Sequence, residues 1–270
     1  MKTSFVTIAF LICLIPALAG TASYAQTEPE SAICSVEDSA CLLEHLHNTA
    51  KTIEQDNWRD QTLREIGKSY AAAGMIDQAL AVIPEIGNPD TKAMTIRGIG
   101  MELAHLNLEP SAQADIFTQL HEAAAKIDHP PSFAIALTYI AMAQAFAGDN
   151  EGAWQTASGM DNEALRHKAF AEAAEVQAEK GDYESAIKSI EFIGNEAFRN
   201  KALGVVSKIF ADNALFDKAY NAALKISNAY LKAQRIQYLI DRQRHILRTN
   251  ALTGGADIVD SADTPTSAAP

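Results

Sequence analysis

Aromatic residues make up only 7% of the 270-residue chain, and it holds two tryptophans and three cysteines. Glycan grooves stack sugars on aromatic faces, so this scarcity speaks against a sugar-binding wall. Basic side chains are also few, 22 against 34 acidic ones, for a formal charge of −12. Such a balance opposes binding to nucleic acid or to an anionic membrane surface. Among short motifs, a Gly-rich phosphate loop, a His-Glu-x-x-His helix and a nucleophile elbow are all missing. The seven histidines are scattered, and no cofactor pattern emerges. Ser185-Ala186-Ile187-Lys188 has the Ser-x-x-Lys spacing of penicillin-interacting enzymes without their other motifs, and Ser185 falls in a helix joint. No catalytic residue is assigned.

Long apolar runs are confined to the start. Lys2, the run from Phe5 to Leu18 and Ser23-Tyr24-Ala25 form the three parts of a secretory signal, with cleavage expected after Ala25. Pro16 interrupts that run, which falls short of the roughly 20 residues that cross a bilayer, so a stable membrane anchor is not expected. Removing Lys2 leaves 21 basic against 34 acidic residues, 21 − 34 = −13. Export also leaves two cysteines, Cys34 and Cys41, for an oxidising space, and a disulfide between them is the natural reading. On one continuous helix they would stand about 10 Å apart, too far to bridge, so one must lie outside it. Ser35 reads as the helix cap with Asp38 reaching back, which places Cys34 in a coil over 26–36. The rival is a metal site with His45 and His47, whose spacing matches zinc poorly.

What the sequence has in abundance is one recurring pattern. Ala79, Ala112, Ala153, Ala186 and Ala219 stand 33, 41, 33 and 33 residues apart, each five residues after a turn position held by Gly74, Asn107, Gly148, Gly181 or Ala214. Glycine and asparagine tolerate the left-handed backbone that ends a helix, so these positions predict helix–turn–helix joints. A repeat of this length predicts an all-α solenoid, with each hairpin burying its apolar face against its neighbours. In the clearest copy Leu63, Ile66 and Tyr70 share a stripe on which Gly67 lets a second helix carrying Ala79, Ile83 and Ile86 come close. The second copy overruns by eight residues through His121–Ile127 until Pro130-Pro131. Trp58 and Trp154 read as packing residues beside joints. The stretch 249–270, rich in Gly, Ala, Asp, Thr, Ser and Pro, predicts a disordered tail.

The pattern resembles the tetratricopeptide repeat (TPR), whose first helix carries a large residue, a Leu-Gly pair and a Tyr, and whose second carries Ala and Phe. Gln144 and Gln177 stand where that family prefers Tyr. The resemblance covers 37–248 and implies a right-handed α-solenoid of about five repeats, capped by Ala40–Ile53 and by the helix of Ile236 and Leu239. It implies a concave lining made of the first helices, which maps onto Gln61, Arg64 and Lys68; Arg97, Met101 and His105; Thr138, Met142 and Phe146; Lys168, Glu175 and Glu179; and Lys201, Lys208 and Asp212. Six of these are basic and three acidic, the reverse of the whole chain. The resemblance therefore implies a non-catalytic scaffold or adaptor of the bacterial envelope that holds a protein or extended peptide, with carboxylates on Arg and Lys and adaptable apolar contact on Met. Two other classes stay open: an enzyme or binder of cell-wall glycan or small molecules, using a cleft beside Pro130-Pro131, and a structural subunit that self-associates through its ends.

Overall fold

The computed structural model describes residues 34–106 and 108–253, and of 250–253 the backbone alone. The expected signal segment, Cys13, the turn at Asn107 and the stretch 254–270 lie outside the described residues. Within them the chain is all-helical. Twelve α-helices run in order: α1 (Ser39–Ala50), α2 (Asp56–Ala72), α3 (Ile76–Val82), α4 (Pro89–Leu103), α5 (Pro110–Ala125), α6 (Pro130–Ala147), α7 (Asn150–Ser158), α8 (Glu163–Glu179), α9 (Tyr183–Glu191), α10 (Glu196–Asp212), α11 (Phe216–Leu224) and α12 (Ala229–Thr253), with a 3-10 turn at Ile83–Glu85.

The joints form where the sequence places them. Gly74, Gly148 and Gly181 have φ of 74°, 93° and 76°, and Ala214 adopts φ 58° at the equivalent position. Each lets the chain reverse so that α2 packs on α3, α6 on α7, α8 on α9 and α10 on α11. The even-numbered helices also pack side by side, α2 on α4, then α6, α8, α10 and α12. Between successive units an asparagine caps the next first helix: Asn88, Asn162, Asn195 and Asn228 accept the amides of Thr91, Leu165, Phe198 and Leu231. Asp60 and Asn200 clamp the preceding loops through the amides of Asn88 and Ser227, at 2.7 and 3.0 Å.

The core is aliphatic. Leu63, Ile66, Ile96, Ile99, Ile140, Ile190 and Ile193 are buried, as are Ala79, Ala153, Ala186 and Ala219. Ala112 is exposed, so it does not hold the equivalent place. Leu120 does, since it precedes buried Ile127 by seven residues as Ala79 precedes Ile86 and Ala153 precedes Met160. The eight extra residues thus lengthen the front of α5 rather than its end, making it 16 residues long against nine in α7, α9 and α11. Gly67 is tight mainly against α4 of the next pair: a Cβ there would lie 3.1 Å from Thr95 Cγ2 and 3.7 Å from the carbonyl of Ala79. Gly100 is tighter still, 2.8 Å from Ala143 Cβ.

At the front, Asp38 rather than Ser35 caps α1, accepting the amide of Cys41 at 3.0 Å, and the Ser35 carbonyl instead closes a turn onto Asp38 N. Cys34 therefore lies in coil, and its sulfur is at bonding distance from that of Cys41, with Cα atoms 5.7 Å apart. At the other end α12 continues through Thr253, five residues into the stretch that composition assigned to a tail. It packs on α10 and α11 through buried Leu239, and Arg242 turns to Asp212. Trp154 is buried, whereas Trp58 at the start of α2 is 57% exposed and is not a packing residue.

Candidate functional site

Four of the side chains predicted to face a ligand meet in one groove. Arg64 and Lys68 from α2 and Arg97 and Met101 from α4, together with Glu65, Met94, Gly98 and Glu102, line an open groove of about 340 Å³. The Nη2 of Arg64 is 2.6 Å from Glu65, and Lys68 reaches Glu102 at 3.8 Å. Arg97 differs, with its guanidinium carbon 5.5 Å from the ring centroid of Tyr139 on α6, a cation–π contact, and its Nε buried without an acceptor. Three cations stand against two carboxylates, so the groove keeps a positive excess.

The floor of this groove is Gly98. Gly67 and Gly100 are small because neighbouring helices crowd them, but a Cβ on Gly98 would meet only the Lys68 side chain, at an ordinary 3.5 Å. Glycine inside a helix costs about 1 kcal/mol relative to alanine, and packing does not require it here. Glu65, Tyr139, Glu172 and Val205 occupy the corresponding places on α2, α6, α8 and α10.

Further along, the structure departs from the expected lining. Thr138 and Met142 are only 1% and 6% exposed, because α6 is hemmed in by α4, α8, α5 and α7. Thr138 donates instead to the Ala134 carbonyl within its own helix. Helix α6 carries no charged residue, as suits a helix with neighbours on several sides. Phe146 is half-buried and meets His105 edge-on at 5.5 Å, while Lys180 lies 5.4 Å from the ring centroid. Tyr139, which the sequence reading passed over, reaches this face. Its signal was a ring one position past Thr138, beside a basic residue on the neighbouring helix.

On α8 the face turns acidic. Lys168 is paired with Glu172 at 3.5 Å. Burial, then the adjacent Glu172 and Glu179, push the Glu175 carboxyl above the usual range, and Lys201 of α10 partly offsets this. Lys208 is bound to Asp212, which also accepts from Tyr238 and faces Arg242. The basic excess is therefore local to α2 and α4, and Lys168, Lys201 and Lys208 lie apart from it.

On the other side a cleft of about 620 Å³ separates α5 from α7, lined among others by Phe117, His121, Gln144, Asp149 and Thr156. His121 sits 3.0 Å from Thr156, which donates to Gln144, and Gln144 donates to Asp149. Burial lowers the His121 pKa, favouring the neutral ring. Three members recur 33 residues on, where Trp154 donates to Ser189 at 2.7 Å and Ser189 meets Gln177, but Gln177 pairs with Asn150 of the preceding unit rather than with Asp182. Turned end for end, the Gln177 amide donates to the carbonyls of Ser185 and Ala173 and to the Ser189 hydroxyl, at 2.9, 3.2 and 2.7 Å, and Ser189 stands between it and Trp154 in either orientation. Ser185 accepts from Asn150, whereas Lys188 lies 3.7 Å from the Trp154 ring centroid and 3.4 Å from Glu151. Among the described residues, no three His, Cys, Asp or Glu side chains converge as metal ligands would.

No protein-family model matches the chain, and no characterised protein resembles it significantly in sequence. Among solved structures it is similar to the crystal structure of Ton1535 from Thermococcus onnurineus NA1, 13% identical over 76% of this chain and 86% of that one, with a TM-score of 0.23. That likeness is too slight to bear on fold or function.

Proposed function

We propose that this chain is an exported, non-catalytic binding protein: a right-handed α-solenoid of about five TPR-like repeats, with α1 and α12 as caps, that holds an extended acidic segment of another protein. One observation carries the reading. An acidic chain gathers Arg64, Lys68 and Arg97 around a single open groove, with Met94 and Met101 beside them. Positive charge concentrated against the overall sign is what attracts and orients an acidic partner. Methionine beside it supplies apolar contact that adapts to different side chains. Export is supported by the signal-like N-terminus and by the bonding distance between Cys34 and Cys41. The role that fits is a scaffold or adaptor in the bacterial envelope.

The test is affinity capture of residues 26–270 from envelope extract, alongside a variant with Arg64→Glu, Lys68→Glu and Arg97→Glu. Wild type should retain a protein partner that high salt releases, and the variant should lose at least about tenfold of it with unchanged helicity. Equal capture by both would refute the groove. Self-association is a second reading, favoured by Tyr230 and Leu247, 70% and 64% exposed on α12. A second copy of the chain as the sole captured protein would support it instead.

A further inference from the structure

We infer that Gly98 is a built opening, and that the groove above it takes a side-chain pair in which an apolar residue adjoins a carboxylate. This rests on the reading of the groove as a peptide site and adds what the site selects. Apart from proline, glycine is the least favourable residue for a helix interior, and α4 carries Gly98 and Gly100 two residues apart. Gly100 is explained by Ala143, which a Cβ would strike at 2.8 Å, but Gly98 has no such neighbour. Its nearest atoms are the Cβ, Cγ and Cδ of Lys68, at 3.5 to 4.0 Å. A Cβ there would make ordinary van der Waals contact with the Lys68 stem, so packing leaves room for a side chain rather than forbidding one.

Chemistry around that space is two-sided. Met94 and Met101 are four residues before and three after Gly98, so all three share one helix stripe, and the two thioethers bracket the opening. Arg64, Lys68 and Arg97 complete the wall. Glu65 and Glu102 engage Arg64 and Lys68. Arg97 is left with a buried Nε that has no acceptor, held against Tyr139. A ligand carboxylate answers the positive excess of the groove, three cations against two carboxylates, while the apolar group packs beside Gly98 between the methionines. A purely acidic segment would leave the methionines unused, and a basic one would meet three cations.

The experiment measures binding of fluorescein-labelled peptides of about eight residues to residues 26–270, by anisotropy. The peptides alternate glutamate with leucine, glutamate with serine, and lysine with leucine; the proteins are wild type, Gly98→Ala and Gly98→Leu. Both substitutions should keep helicity, and Gly98→Ala should not lower the melting temperature, because the site has room. The glutamate–leucine peptide should bind wild type at least about fivefold more tightly than either other peptide, and Gly98→Leu should weaken it at least about tenfold. Unchanged affinity in Gly98→Leu, or equal affinity for the glutamate–serine peptide, would overturn the inference while leaving an acidic-peptide site intact. If neither acidic peptide binds wild type, the peptide-site reading itself fails, and the inference with it.

Discussion

Gln177 and Ser189 show how single residues hold this fold together. Positions equivalent to Gln177 are Tyr70, Leu103, Gln144 and Phe210, and all are buried. An amide in such a place must find partners, because an unpaired buried polar group costs about 1–3 kcal/mol. Ser189 provides one: its hydroxyl oxygen accepts from the Trp154 indole and lies 2.7 Å from the Gln177 amide. Thirty-three residues further on the place of Ser189 is taken by Ala222, beneath Phe210, where no amide needs a partner. Ser189→Ala should therefore lower unfolding free energy by about 2 kcal/mol, read from urea denaturation, since it removes the acceptor of the buried Trp154 indole and one partner of the Gln177 amide. A loss below about 0.5 kcal/mol would mean that the network adds nothing to packing. Such networks were not visible in advance. Gln144 and Gln177 registered only as departures from an aromatic, since their partners lie 12 residues away on the return helix.

At the scale of elements, α5 is the unit that differs. The other second helices bring a buried alanine to their first helix, whereas α5 brings Leu120, together with Phe117, against Gly100. Leu120→Ala should cost about 3 kcal/mol, measured by thermal or urea unfolding, because the longer helix is held away by Phe117 and cannot settle into the space. A cost below about 1 kcal/mol would show that α5 collapses onto α4 as its counterparts do. The turns were legible: glycine at three joints announced a left-handed backbone, and Ala214 was identified by spacing alone. The register of α5 was not. An alanine-rich segment offers small residues at many offsets, so Ala112 matched the count while the buried place belonged to a leucine. Asparagine caps were likewise overlooked, though Asn88, Asn162, Asn195 and Asn228 keep the period of the fold.

Seen as a whole molecule, the chain is acidic but unevenly so. The groove between α2 and α4 is lined by three cations against two carboxylates, α6 is uncharged, and glutamates gather on α8. Counting charges along the sequence found the basic side chains but not their distribution, because spacing says which residues share a face and not which carboxylates neutralise them. Lys168 and Lys208 are taken up by Glu172 and Asp212, while Arg97 is set apart by a tyrosine from the next helix. Thr138 and Met142 were misplaced because spacing assigns a face without showing how deeply it is covered, and on α6 both positions are buried. In the proposed function, α2 and α4 form the surface a partner covers. Amide hydrogen exchange of residues 26–270, with and without the partner recovered by capture, tests it most directly. Slowed exchange on binding should centre on α2 and α4, with α9 and α11 unchanged; protection confined to α11 and α12, or to the α5–α7 cleft, would contradict it.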